Sequence, residues 1–298
     1  MQSDSHVDRA DERGKESLRL GDVVDAIGVP GTTIRAWDTR YGWPNPARTS
    51  GRHRRYSAED VRRLVALRNE IARGRNAGEA VEMLRAIDAR RVHRYVDPIV
   101  SGAISLDPGP VRRGLAEAEA ALGVVRTVED VAVIALREIG DHWAVGTCDV
   151  AGEHLATGEI RRWFGEVAAR GFDATSGAPV VLACGPEELH TGGLEAFRVL
   201  LVERGIPALL LGAQTPPESF ALTVRDAGAA AAVMLCHRPQ ARRGSLATLR
   251  LLSSLPKTRV YYAGNGFAAA RGRRSVPGTY LGTDLSAAAD VVARRRAS

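Results

Sequence analysis

Cysteine is scarce in this chain. Cys148, Cys184 and Cys236 are odd in number, widely spaced and form no Cys-x-x-Cys pair. That argues against a disulfide framework and a thiolate zinc site, and fits a reducing, cytoplasmic setting. Long apolar runs are lacking as well. No stretch approaches the roughly 20 residues a membrane span needs, so no membrane partner is expected. The Met1–Lys15 segment is polar, carries both charge signs and has no apolar centre, unlike a secretory leader. Nor does a Gly-x-Gly-x-x-Gly open the first helix after a strand-like run, which speaks against a dinucleotide-binding Rossmann domain. A catalytic carboxylate cluster is also missing, and the chain is not expected to be an enzyme.

What is present is basic charge, unevenly placed. The 298 residues suit two or three domains and carry a net charge of +6. Residues 1–97 hold 19 Lys/Arg against 15 Asp/Glu, residues 98–172 hold 7 against 11, and the remainder 15 against 9. Within Arg35–Arg75 the balance is 11 to 4. A basic block inside a domain is the electrostatic footprint of a nucleic-acid contact, with a solvated arginine-rich face as the alternative.

The residues of that block fall into a pattern. Leu18–Gly28 reads as a short amphipathic helix closed by glycine, Val29-Pro30-Gly31 as a turn, and Thr32 as the cap of a helix from Thr33 to Tyr41. Helix, tight turn and basic second helix make a helix-turn-helix, whose second helix offers its early residues to the major groove. Thr33 and Arg35 stand there, while Trp37 is expected to pack inward. Residues 44–56 then read as a wing with basic arms about Gly51, and Ser57 with Asp60 as a capping-box start to the next helix. Thr33-Ile34-Arg35-x-Trp37-Asp38-x-Arg40-Tyr41-Gly42, Pro46-x-Arg48-Thr49-x-Gly51 and Arg54-x-Tyr56-Ser57-x-x-Asp60-Val61 together resemble the winged helix-turn-helix of MerR-type transcription regulators. The resemblance covers about Leu18 to Leu84. It implies that Thr33, Arg35, Arg40, Tyr41, Arg48, Arg52, Arg54 and Tyr56 meet a double-stranded DNA operator, and that the protein binds it as a homodimer or larger assembly. The cysteine-rich metal-sensing end of metal-responsive members is missing, so another effector is implied.

Arg90–Asp97 reads as a charged connection, and Pro98–Phe172 as helices throughout: Ile99–Ile104, Val111–Leu122, Thr127–Ala144 and Val150–Gly171. Trp143, Gly146, Glu153 and His154 are the informative residues. An indole offers a stacking plate, and carboxylate plus imidazole can hydrogen-bond a ribose and base. A core tryptophan beside an exposed acid–base pair is the alternative. The spacing is similar to the helical cap of the light-responsive, adenosylcobalamin-dependent MerR regulators. That resemblance implies that Trp143, Val150, Glu153 and His154 cover the adenosyl face of the cofactor. Relatives carry a histidine directly after the cap tryptophan as an upper ligand in the light; here Ala144 stands in that place.

Past a linker at Ala174–Gly177, five short apolar runs alternate with helical patterns: Pro179–Cys184, Ala208–Leu211, Ala230–Leu235, Arg259–Ala263 and Gly278–Leu281. Such alternation predicts a doubly wound parallel sheet of about five strands. Glu188-Leu189-His190-Thr191-Gly192-Gly193 follows the first run, at the carboxyl edge where open α/β sheets bind ligands. One imidazole there can ligate a metal, a carboxylate two residues earlier can hold its other nitrogen, and the glycines let a flat ligand approach. A polar loop whose histidine caps the helix is the bland alternative. Acid-x-His-x-x-Gly resembles the ligand loop of cobalamin-binding domains, which implies His190 as the lower ligand to cobalt, oriented by Glu188, with Gly193 beside it. The resemblance also places Cys236 where that fold commonly has a serine meeting the cofactor's nucleotide tail. Ala263-Gly264 falls where it has a Gly-Gly pair.

The expected architecture is multidomain α plus α/β. It comprises a tail (1–16), a winged helix-turn-helix (17–90), a four-helix cap (97–173) and a flavodoxin-like, cobalamin-binding, five-stranded domain (178–298). The expected function is a cytoplasmic DNA-binding regulator, a repressor, with adenosylcobalamin (cobalt included) as a light-sensing chromophore that controls oligomerisation. The competing readings are a MerR-like regulator sensing another ligand or no longer responding, and a corrinoid enzyme subunit. The second leaves the DNA-binding head unexplained.

Overall fold

Two short helices open the described chain, and each stops where a glycine turns left-handed. Helix α1 (Leu20–Ile27) buries Val23 and Ile27 and ends at Gly28, φ 66°. Helix α2 (Gly31–Tyr41) buries Ile34 and Trp37 and ends at Gly42, φ 59°. Glycine takes that conformation without the Cβ penalty. α2 begins earlier than the sequence predicts: Pro30 (φ −55°) is its N-cap, no side chain caps it, and Thr32 lies inside the helix. Proline's fixed φ already sets the first turn. In this computed structural model the described residues are 18–48, 53–256, 258–269, 273 and 275–296. The expected tail and Arg52 lie outside them.

The wing pairs β1 (Ala47–Arg48) with β2 (Arg54–Arg55) antiparallel, Arg48 opposite Arg54. Helix α3 (Ala58–Ala72) starts with the expected box: Asp60 N donates to Ser57 Oγ at 3.2 Å, and Ser57 N donates to Asp60 Oδ2 at 2.8 Å. Val23, Ile27, Ile34, Trp37, Tyr56, Leu64 and Leu67 share one core, each worth roughly 1.5–3 kcal/mol of burial.

The chain forms two compact units, one through Val92 and one from His93. The division falls within α4 (Ala77–Ile104), so the connection expected at Arg90–Asp97 is helix instead. Val92, Tyr95, Val96, Ile99, Val100 and Ala103 are buried at three- and four-residue spacing. That stripe outweighs the one hydrogen bond Pro98 cannot donate.

In the second unit α5 (Pro108–Leu122), α6 (Val124–Arg126), a π-helical turn (Thr127–Ala132), α7 (Val133–Ala144) and α8 (Val150–Phe172) form the helical layer. The single helix expected over Thr127–Ala144 is thus interrupted by the π turn, a device common at functional sites. Then come β3 (Val180–Cys184), α9 (Gly192–Val202), β4 (Ala208–Gly212), α10 (Pro217–Asp226), β5 (Ala231–Leu235), α11 (Arg242–Ser253), β6 (Arg259–Ala263), β7 (Thr279–Tyr280) and α12 (Leu285–Arg296). The strands are parallel in the order β4-β3-β5-β6-β7. β3 is buried at every residue, as a strand covered on both faces must be. α10 and α11 cover the face of Val181, Ala183, Ala232, Met234 and Tyr262, while α9 packs with α12. Helical and sheet layers meet closely: a Cβ on Gly171 would lie 2.6 Å from Val202. The strand order reverses between β3 and β5, which makes the loops after those two strands the expected ligand crevice.

Candidate functional site

The Glu188 side chain is fully buried and ties the two loops at that crevice together. His190 donates to Glu188 Oε1 from Nδ1 at 2.7 Å and from its backbone N at 3.0 Å. On the far side of the crevice, the backbone N–H groups of His237 and Arg238, just past β5, donate to Glu188 Oε2 at 2.6 and 2.8 Å. Burial alone would raise the Glu188 pKa. The hydrogen bonds from Arg238, His190 and His237 outweigh it and hold the carboxyl below its ordinary value. An ionised carboxylate only accepts, so Nδ1 of His190 carries a proton, and in the neutral imidazole that tautomer leaves the lone pair on Nε2. No described residue pairs with Nε2, and the His190 side chain is 59% exposed. Backbone bonds from Gln214 to Glu188 O (3.0 Å) and from Thr215 to Cys184 O (3.1 Å) fix the loop further.

That donor set fits a cobalt corrinoid at one axial position: imidazole is a good ligand for cobalt, and its outer partner is already in place. Gly193 leaves room, since a Cβ there would meet only Leu235 at 3.8 Å. Next to it the polar interior is incompletely satisfied. Ser245 Oγ is buried without a hydrogen bond of good geometry. Cys236 is fully buried, its Sγ donating to Arg238 O at 3.3 Å. Burial pushes the Cys236 thiol up, with Ser245 opposing. Gly264 takes φ 99°, and a Cβ there would fall 2.3 Å from Cys236 O. The glycine is required by that contact, whatever else it serves.

In the helical layer, Trp143 (53%) and Val150 (54%) are exposed large apolar side chains. A core tryptophan is thereby excluded. Glu153 accepts from His154 Nδ1 at 2.6 Å and from Thr157 Oγ1 at 2.9 Å, so both carboxylate oxygens are engaged. Ala144 is exposed, and His142 is tied by Nδ1 to Thr147 Oγ1 at 2.7 Å. Three of these partners escaped the sequence reading. Thr157 is one helical turn from Glu153. His237, whose ring centroid lies 5.4 Å from that of His190, and Arg238 immediately follow Cys236, and that adjacency was the available signal.

In the first unit a cavity of 590 Å³ is lined by Arg19, Leu20, Gly21, Arg35, His53, Arg54 and Arg55. Arg35 and Arg40 are exposed and Thr33 is half-buried. Tyr41 is half-buried with Arg40 over its ring at 5.4 Å. Arg54, largely buried, and Arg48, which stays exposed, both donate to Asp38, at 2.6 and 3.2 Å. Tyr56 corrects the expectation outright: it is fully buried, bridged to Leu18 across the sheet edge, and cannot lie on a DNA-facing surface. Its aromatic body was worth more in the core than outside. Arg19 and Arg55 also line this cavity; Arg19 directly precedes α1, and Arg55 is the unspecified position between Arg54 and Tyr56.

Comparison with known proteins follows the same division. The MerR HTH family regulatory protein model matches residues 18–87. The HTH-type transcriptional repressor CarA of Myxococcus xanthus is 32% identical over 211 residues, spanning 67% of this chain and 69% of that protein. CarH, a repressor of the same organism, is 29% identical over 232 residues, spanning 70% and 75%. Among solved structures, the Methanosarcina barkeri monomethylamine corrinoid protein matches with a TM-score of 0.54 at 13% identity. That match covers 68% of this chain and 96% of that one, a likeness of fold.

Proposed function

This chain belongs to the family of MerR-type DNA-binding transcriptional repressors represented by CarA and CarH, and on that premise we propose that it senses adenosylcobalamin, and light through it, to set its own assembly on an operator. The observation that carries the reading is the pinned imidazole: a buried Glu188 spanning the β3/β5 crevice, with His190 Nε2 unpaired. We take the function to be regulatory, not catalytic.

Each residue has a part that follows from its surroundings. His190 would hold cobalt through Nε2, and Glu188 would keep its tautomer and aim. The glycines at 192 and 193 would admit the flat ring system, and Ser245 and Cys236 would face its nucleotide tail. Trp143 and Val150 would close over the other face, where adenine can stack on the indole, and the Glu153–His154 pair would meet the sugar. Bound adenosylcobalamin supplies a photolabile cobalt–carbon bond. Trp143 and Val150, both exposed, would be buried by an adenosyl group and so favour one arrangement of the cap, a preference that would go with the group. A ligand shifts an assembly only by such a difference in affinity. Ala144 offers no donor atom, and His154, held through Nδ1 by Glu153, would have to leave its place beside the sugar to serve, so a stable replacement ligand in the light is not expected.

A second reading is carried by Cys236, whose Sγ is spent on Arg238 O: the crevice takes a different tetrapyrrole without a nucleotide tail. Protein loaded with adenosylcobalamin in the dark and passed through gel filtration separates the two. Retained cobalamin absorption that disappears in His190→Ala supports the first reading. Absence of retained cobalamin from the wild type refutes it.

A further inference from the structure

Among the described residues of the first unit two carboxylates are buried, Asp38 and Asp60; Asp60 caps α3, and Asp38 lies on the helix expected to enter the major groove. Asp38 sits on α2 one turn after Arg35, with its side chain only 4% exposed. Its Oδ2 accepts from Arg54 Nε at 2.6 Å and from Arg48 at 3.2 Å. These two arginines are direct partners on opposite strands of the wing. A single oxygen therefore ties both strands of the wing to the recognition helix. The arginines differ in freedom: the Arg54 side chain is 18% exposed and that of Arg48 44%. Around them stand Arg19, Arg35, His53 and Arg55, lining the 590 Å³ cavity.

A carboxylate this deep persists only when paired, and removing one partner leaves an uncompensated buried charge. Both partners, however, are cations on a surface that meets a polyanion. Every phosphate neutralised by an arginine adds to salt-sensitive, sequence-independent affinity. Contacts that fix register on the duplex are what let a few base contacts discriminate. Asp38 acts on both terms at once: it withholds arginine charge from the phosphates, and it holds the wing in one position relative to α2.

We propose that Asp38 is a specificity-determining positioning residue, which lowers affinity for DNA in general and raises the preference for the operator. It touches no DNA itself. It acts through Arg48 and Arg54.

The test uses the full chain. A preferred duplex is selected from a random library with the wild type, and binding to it and to a scrambled duplex is measured across about 50–200 mM salt. Asp38→Asn keeps the shape and removes the charge. The expected result is tighter binding to the scrambled duplex, a salt slope steeper by about one, and a preference for the selected duplex reduced about tenfold, the scale of one base-pair mismatch. Asp38→Asn combined with Arg54→Gln restores the local net charge and also covers the case in which the single variant does not fold. In it the slope should return to the wild-type value while the preference stays low. Wild-type slope and preference in the single variant would overturn the proposal. So would recovery of the preference in the double variant, because Asp38 would then act as bulk charge alone.

Discussion

Asp38 and Glu188 are both carboxylates buried behind a functional surface, yet their partners differ in kind. Asp38 is paired with two guanidinium groups. Glu188 is surrounded by one imidazole N–H and three backbone N–H groups. In the first case the partners are themselves cations that a polyanion can claim, so the buried acid competes with the ligand. In the second the partners are backbone amides and a ring N–H that a corrinoid would not claim, and on the proposed reading the buried acid would cooperate with the ligand by leaving Nε2 of His190 to it. On the proposed reading one arrangement would temper binding and the other would enable it, although both begin as an acid sheltered from water.

Substitutions at the two carboxylates should therefore move their ligands in opposite directions, and His190→Ala sets the scale. Losing the ligand nitrogen itself should cost more corrinoid affinity than the about ten- to hundredfold typical of an outer partner. The weak duplex binding left to the corrinoid-free protein should be the same as in the corrinoid-free wild type. Equilibrium dialysis and anisotropy check the two halves. Glu188→Gln comes next, at about ten- to hundredfold weaker corrinoid binding. An amide offers one acceptor oxygen where the carboxylate offered two, so either the imidazole or the His237 and Arg238 N–H pair loses its acceptor. Corrinoid affinity unchanged in this variant would place the orienting force elsewhere. Arg35→Ala should lower the salt slope of DNA binding by about one, since Arg35 is exposed and no carboxylate among the described residues holds it. A slope equal to wild type would remove Arg35 from the phosphate contacts. Ala144→His should give a protein that keeps its corrinoid longer after illumination, followed by absorption during dialysis.

The smallest effect concerns the helical layer, where hydrogen bonds from Arg112, and then Arg162, lower the Glu159 pKa from 4.5 to about 2 against the opposing effect of burial. A depressed carboxylate contributes stability above its unfolded value that is lost as pH falls through the folded one. Both arginine partners are half exposed, so solvent screens much of the gain. Thermal melts should show a slight extra loss between pH 4.5 and about 2 that is missing in Glu159→Gln.

The sequence made the order of elements legible because glycine stops, the Ser57–Asp60 box and the five apolar runs are local signals. All five strands fall within a residue or two of where alternation puts them, and Glu188 with His190 was readable because two residues in one loop make the contact. Long-range partners were not readable. Arg54 carries the same letter whether it faces phosphate or Asp38, and only the pairing of β1 with β2 turns it inward. Tyr56 looked like part of a basic, DNA-facing stretch, while its burial depends on the bridge to Leu18. His237 and Arg238 reach Glu188 only because β5 lies beside β3, 49 and 50 residues away along the chain. The helix through Pro98 was hidden for another reason: local propensity argued for a stop, and a buried stripe that only packing reveals carried the helix on.

The central claim is that corrinoid and light govern how this repressor-family protein assembles on DNA. The direct measurement is sizing and duplex binding of the full chain, with and without adenosylcobalamin, kept dark and then illuminated. The account predicts a larger, DNA-binding species that requires both cofactor and darkness, and its loss on illumination or in His190→Ala. An assembly and a duplex affinity indifferent to cofactor, light and His190 would contradict it.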